Sequence, residues 1–228
     1  MKIFTKFLAG CSAILLLATT ANGQTNGYDS TARPNSFKMQ VERFNSYPNS
    51  KKDIIFLGNS ITAGTDWAEL LQEPNAKNRG ISGDITFGVL ERLSEVTEGK
   101  PAKVFILIGI NDLGRKIPDD VIFHNYQRIV QRIKTESPST KIYFQSVLPT
   151  NDSFPAKNQF HKQENIHFLN NGLKQLAAKE HFTFIDLHSR FLDNAGQLDA
   201  RFTYDGLHLN PAGYLHWAQI LKEGGYLK

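Results

Sequence analysis

The sequence holds a single cysteine, Cys11, among its 228 residues. One thiol cannot close a disulfide within the chain, and alone it cannot build a thiolate metal centre. A dense basic run is also missing. The formal net charge is +4, from 26 Lys and Arg against 22 Asp and Glu. A pair such as Lys51-Lys52 is too short to give the electrostatic footprint of a nucleic-acid binder. There is no HExxH segment, the histidines lack metal-ligand spacing, and no tract is repeated or of low complexity. Neither a metal nor an organic cofactor is therefore expected. With 40% apolar and 21% charged residues, the chain reads as globular, and it is long enough to bury a substantial core.

Long hydrophobic runs are equally scarce. The one that stands out is Phe7 to Ala18, preceded by Lys2 and Lys6 and followed by Ala21-Asn22-Gly23. A positive start, a short apolar stretch and a small-residue exit make a secretory signal peptide over residues 1–23, with cleavage after Gly23. The run is too short for a comfortable membrane span, so stable membrane insertion is not expected. Leu8-Ala9-Gly10-Cys11 resembles a lipoprotein cleavage box, but most of the apolar stretch follows Cys11 rather than preceding it. Ordinary cleavage is the better reading, and it implies a periplasmic or secreted protein. Losing Lys2, Lys6 and Cys11 leaves a thiol-free chain with a charge of +2, that is +4 less two lysines.

Residues 24–50 form a polar lead-in rich in Asn, Ser and Pro, with a short helix expected around Phe37 to Phe44. Residues 51–228 alternate in character. Asp53–Gly58, Lys103–Gly109, Lys141–Leu148 and Phe182–Leu187 are short runs rich in β-branched and aromatic residues, two of them almost continuously apolar. Such runs suit strands buried on both faces. A further strand over Lys77–Ile81 carries a weaker signal. Ile85–Val96, Pro118–Lys134 and Gln159–Ala178 carry helical stripes, and Asn210-Pro211 offers a cap and a first-turn proline for a helix to about Lys222. Alternating strands and helices predict a three-layer α/β/α sandwich around a parallel sheet.

In such folds ligands bind beyond the carboxyl ends of the strands. Ser60 follows the first strand run, Asn111-Asp112 follows the second, and Asp205-Gly206-Leu207-His208 precedes the last helix. A serine hydroxyl needs a base to become a nucleophile, and a histidine base needs an acceptor at its other nitrogen. His208 and Asp205, three apart in a loop, can supply both. The Asn111 amide and the backbone N–H groups of Gly83 and Ser60 suit a developing oxyanion. Taken singly, each feature has a plainer reading: Ser60 as a helix cap, Asn111-Asp112 and Asp205-Gly206 as turns. Asp186-Leu187-His188 also pairs acid with histidine, as a structural pair on one strand face. Trp67, Phe87, Gln145 and Asn151 are candidates either for substrate contact or for packing.

The motif blocks, in order, resemble the SGNH hydrolases, also called GDSL esterases and lipases. They are Gly58-Asn59-Ser60-Ile61-Thr62, Asn78 to Asp84, Gly109-Ile110-Asn111-Asp112 and Asp205-Gly206-Leu207-His208. The resemblance spans roughly residues 51 to 225. It implies Ser60 as nucleophile, Asp205 and His208 as acid and base, Ser60, Gly83 and Asn111 as the oxyanion hole, and a flavodoxin-like fold without a metal. Asn59 departs from the aspartate usual before the serine. The run Asn78 to Leu93 resembles the branch holding platelet-activating-factor acetylhydrolase-like proteins and sialate or carbohydrate O-acetylesterases. A short acyl ester on a small molecule or glycan is the substrate this implies. Two alternatives stay open: a lysophospholipase or thioesterase for longer chains, and a glycan-binding protein that has kept the fold. Binding alone would not require the full catalytic set.

Overall fold

The computed structural model describes residues 27–228. The expected signal segment, with Cys11 and the Gly23 cleavage point, lies outside those residues. Five parallel strands form the sheet: β1 Ile54–Gly58, β2 Ala76–Gly80, β3 Lys103–Leu107, β4 Lys141–Gln145 and β5 Thr183–Ile185. Their spatial order is β2-β1-β3-β4-β5. The order reverses direction at β1, so a crevice opens beyond the carboxyl ends of β1 and β3.

Burial explains which sequence signals were strong. β1 and β3 are buried at every position, as their apolar runs require. β2, with sequence AKNRG, is an edge strand paired only with β1 and is partly open at Lys77 and Asn78, which accounts for its weak apolar signal. The parallel register sets Phe56, Phe105 and Tyr143 side by side. Their rings stack in a row extended by Trp67, at centroid distances of 3.9, 4.9 and 4.5 Å. Helices α3 (Trp67–Leu71) and α9 (Pro211–Glu223) cover this face, and Trp217 meets Trp67 edge-on at 4.8 Å. The other face carries α4 (Thr86–Glu91), α7 (Asp119–Glu136) and α8 (Gln163–Glu180), with Tyr126 of α7 edge-on to Phe144. The result is the α/β/α sandwich expected from periodicity.

The remaining elements are short. The expected lead-in helix is α1, Phe37–Asn45, which lays Phe37 and Phe44 on Ile81. Helix α2, Ser60–Ala63, follows β1, and α6, Ile110–Gly114, follows β3. The expected single helix Ile85–Val96 is broken into α4 and α5 (Ser94–Thr97). Arg92 leaves helical geometry between them and turns its side chain inward to four acceptors. The apolar stripe of that run is nevertheless fully buried. Helix α8 starts at Gln163 rather than Gln159, because residues 157–160 close a turn through Phe160 N–H donating to Lys157 O. Phe168, an apolar residue within the expected Gln159–Ala178 helix, is 51% exposed. Strands β3, β4 and β5 end before their apolar runs do, because Ile108, Val147, Leu148 and Leu187 stay buried as the chain leaves the ladder. Among the described residues no helix is long and apolar enough to cross a membrane.

Candidate active site

Asn59 follows β1 and caps α2, its Oδ1 accepting from Ile61 N–H at 3.0 Å. That cap turns the chain so that Ser60 opens the helix at the carboxyl edge of the sheet. Asn59 is completely buried and its Nδ2 finds no partner among the described residues. Ser60 Oγ lies 3.0 Å from His208 Nε2, across 148 positions of sequence.

His208 is held by a tight loop. Thr203 Oγ1 donates to His208 O and accepts from Gly206 N–H at 2.9 Å. Asp205 Oδ1 accepts from the backbone N–H groups of Leu207 and His208 at 3.0 and 2.7 Å. Asp205 Oδ2 stands 2.8 Å from His208 Nδ1. Gly206 is required here, with φ +80° and the position of a Cβ only 2.5 Å from Asn151 O. Partial burial pushes the Asp205 carboxyl up, but the bonds from the His208 ring and the two backbone donors outweigh it, leaving the pKa at about 2. Ionised Asp205 therefore keeps the proton on Nδ1 and aims the Nε2 lone pair at Ser60. Tyr204, 64% exposed, stacks on the His208 ring with centroids 6.0 Å apart.

The other side of the crevice is built from the segment after β2 and from α6. Gly83 is half-buried with φ +79°. Asn111 is buried; its Nδ2 donates to Asp84 O at 3.0 Å, and its Oδ1 accepts from Gln159 Nε2 at 3.1 Å. Those bonds leave the second N–H of the amide free for another acceptor. Beneath lies a buried ionic network. Arg92 donates to Asp84 Oδ2, Glu95 Oε1, Gly58 O and Arg79 O at 2.9 to 3.1 Å. Arg79 donates in turn to Glu95 Oε2 at 3.0 Å. Burial pushes the Asp84 and Glu95 carboxyls up against the pull of these arginines. Asp112, fully buried, accepts from Thr86 N–H and Oγ1; burial prevails and its pKa rises to about 7.

The structure thus brings Ser60, His208 and Asp205 into one hydrogen-bonded relay and ties the segment after Gly83 to Asn111 through the Asp84 carbonyl. Other sequence candidates fall elsewhere. Trp67 and Gln145 are core, Trp67 donating to Thr62 O and Gln145 accepting from Trp217 Nε1. Asn151 is buried in loop hydrogen bonds to Gly206 and Leu198. Phe87 is partly exposed and packs on Tyr28 of the lead-in. The expected Asp186–His188 pair does not form. β5 ends at Ile185, Asp186 is exposed and accepts from Ser189 N–H, and buried His188 packs on His167. Arg92, Glu95, Lys157, Gln159 and Tyr204 went unnoticed in the sequence. Apart from the interruption Arg92 makes in an apolar stripe, none carried a local signal. A polar groove of about 580 Å³ runs between α1 and β2; its lining includes Ala63, Gly80 and Ser82 but none of Ser60, Gly83, Asn111, Asp205 and His208.

The GDSL-like lipase/acylhydrolase family model matches residues 56–215. The chain is 28% identical over 177 residues to platelet-activating factor acetylhydrolase IB subunit alpha2 of Homo sapiens, with 75% of each chain covered. It is 30% identical to a solved platelet activating factor protein from Streptococcus pneumonia, at a TM-score of 0.75, covering 85% of this chain and 92% of that one. An acetylxylan esterase from Geobacillus stearothermophilus shares the fold at a TM-score of 0.63 and 22% identity, covering 78% of this chain and 96% of that one.

Proposed function

The chain belongs to the GDSL-like lipase/acylhydrolase family and is an ester hydrolase, and from that premise we propose that Ser60, His208 and Asp205 carry the reaction on a short acyl ester, above all an acetyl ester, of a carbohydrate. The observation that carries the first half is the relay of 3.0 and 2.8 Å contacts from Ser60 Oγ through the His208 ring to Asp205. His208 Nε2 takes the Ser60 proton as Oγ bonds to the ester carbonyl carbon. The negative charge that forms on the carbonyl oxygen is met by the Ser60 and Gly83 N–H groups and the free N–H of Asn111. The C–O bond to the alcohol then breaks as His208 returns the proton to it. Water, deprotonated by the same ring, cleaves the acyl-serine and releases the acid.

The names of the relatives support the acyl group, since acetyl is common to platelet-activating factor acetylhydrolase and acetylxylan esterase. Support for a carbohydrate comes from the partly open His208–Asp205 pair and from the polar groove between α1 and β2, which reaches Gly80 and Ser82 and is lined by Arg43, Tyr47, Asp66 and Lys77. Such a surface can take a bulky hydroxylated leaving group without burying it. A second reading, a short acyl ester on a phospholipid, is favoured by the acetylhydrolase relatives. Export through the N-terminal segment is part of the proposal and rests on Lys2, Lys6 and the run Phe7–Ala18. N-terminal sequencing of the protein recovered from cell fractions tests that, with Gln24 expected as the first residue.

Hydrolysis of p-nitrophenyl esters from acetate to decanoate, by wild type beside Ser60→Ala, tests the core of the proposal. Acetate should be favoured by roughly tenfold or more over decanoate, a few methylenes being enough for that discrimination, and Ser60→Ala should abolish turnover. A maximum at decanoate would overturn the short-acyl assignment. Equal rates in both proteins would overturn the role of Ser60.

A further inference from the structure

The segment between β4 and α8 belongs to none of the motif blocks, yet it touches both sides of the crevice. Lys157 Nζ lies 3.3 Å from Asp205 Oδ2, the oxygen that also faces His208 Nδ1. Two residues on, Gln159 Nε2 donates to Asn111 Oδ1 at 3.1 Å. One turn carries both contacts, closed by Phe160 N–H donating to Lys157 O at 3.1 Å and anchored by Phe160, which is only 3% exposed. The rest of the segment is fastened to the acid–base loop. Asn151 N–H donates to Gly206 O at 2.8 Å, Asn151 Nδ2 donates to Leu198 O, and Asp152 N–H donates to Gln197 Oε1.

We propose that the turn 157–160 is a positioning clamp, in which Lys157 holds Asp205 and Gln159 holds Asn111, so that one segment sets the base and the oxyanion amide together. This rests on the reading of Asp205, His208 and Asn111 as partners of Ser60. The chemistry of each contact is specific. An amide can be turned end for end, exchanging donor for acceptor. Gln159 donates to Asn111 Oδ1 and so keeps Nδ2 toward Asp84 O, with its second N–H toward the crevice. Lys157 restrains the Asp205 carboxylate and places a positive charge near the imidazole. The groups facing Asp205 are the His208 ring, the N–H groups of Leu207 and His208, Lys157 and the neighbouring Tyr204 phenol. Those facing His208 are Ser60 from α2, Asp205 and the Tyr204 ring. Lys157 is the cation in direct contact with this set among the described residues.

The test is kcat and KM for Lys157→Met, Lys157→Arg, Gln159→Ala and Gln159→Glu in the purified protein, with thermal midpoints alongside. Lys157→Met should lower kcat about threefold to tenfold with KM unchanged, because the carboxylate that orients the His208 ring loses its restraint, and Lys157→Arg should restore it. Gln159→Ala should lower kcat about tenfold with KM unchanged. Gln159→Glu should lose about a hundredfold, because a carboxylate facing Oδ1 favours the turned amide. A loop that only supported the fold would give both Gln159 variants the same small loss, in step with the thermal midpoint. Unchanged kcat in Lys157→Met and in both Gln159 variants, while Asn111→Ala still loses activity, would overturn the clamp and leave the hydrolase reading intact. Wild-type rates in both Asn111→Ala and Ser60→Ala would instead overturn the reading beneath it.

Discussion

Asp84 and Arg92, which hold the segment around Gly83 and Asn111, have no exposed side-chain surface, whereas Asp205 and His208 keep 21% and 28% of theirs. The proposed oxyanion side is fastened from below: Arg92 ties the strand before Ser60, through Gly58 O, to Asp84, whose carbonyl accepts from Asn111. The acid–base side hangs on a surface loop closed by Thr203 and braced laterally by residues 151–160. The difference suits the chemistry. Donors aimed at a developing charge are useful only if they do not move when it appears. A base must exchange protons with solvent and admit the alcohol, so it sits where water reaches it.

The comparison can be broken or sharpened by substitution. The largest effect belongs to the residues where the two sides meet: Ser60→Ala and His208→Ala should each lower kcat by about 10⁴-fold or more, with thermal midpoints close to wild type. Asn111→Ala, on the rigid side, should cost about a hundred- to a thousandfold in kcat; full turnover in that variant would remove Asn111 from the oxyanion hole. Arg92→Met removes no reacting group, yet it strands buried Asp84 and leaves Glu95 with Arg79 alone. Urea unfolding should show a loss of about 3–5 kcal/mol, whereas Tyr204→Ala on the exposed side should stay within about 0.5 kcal/mol. Equal stability losses would end the distinction between the two sides.

The smallest effect is in stability against pH. Asp205 falls from 3.8 to about 2 on folding, so its contribution is complete above about pH 4 and is lost as pH drops toward 2. Asp112 rises from 3.8 to about 7, so the fold binds the protonated form more tightly and loses stability as pH climbs through that interval. Urea midpoints should therefore be highest near pH 4, falling below it with Asp205 and falling from about pH 4 to about pH 7 with Asp112 before levelling, and Asp112→Asn should remove the second fall.

The residues that meet in the Ser60–His208–Asp205 relay stood out in the sequence because each lies in a short block whose residue types serve a chemistry. The sandwich was legible because β1 and β3 are buried on both faces and must be apolar. What could not be read depends on distance in sequence. Arg92 interrupts an apolar stripe at a position that local rules give to a solvated charge, and its partners at Gly58, Arg79 and Asp84 lie on other elements. Lys157 and Gln159 occur in a polar loop, and Asp205 and Asn111 are each more than forty positions away. Asp186 and His188 misled for the opposite reason. Their alternation fits a strand, but β5 has already ended at Ile185.

The most direct test is to mix wild type and Ser60→Ala with p-nitrophenyl acetate, quench during turnover, and map the acetylated residue by peptide mass analysis. Acetate bound to Ser60 in wild type, and absent from the variant, is the predicted result. Turnover with no acetyl group on Ser60, or with acetyl on another side chain whose loss stops the reaction, would contradict the account.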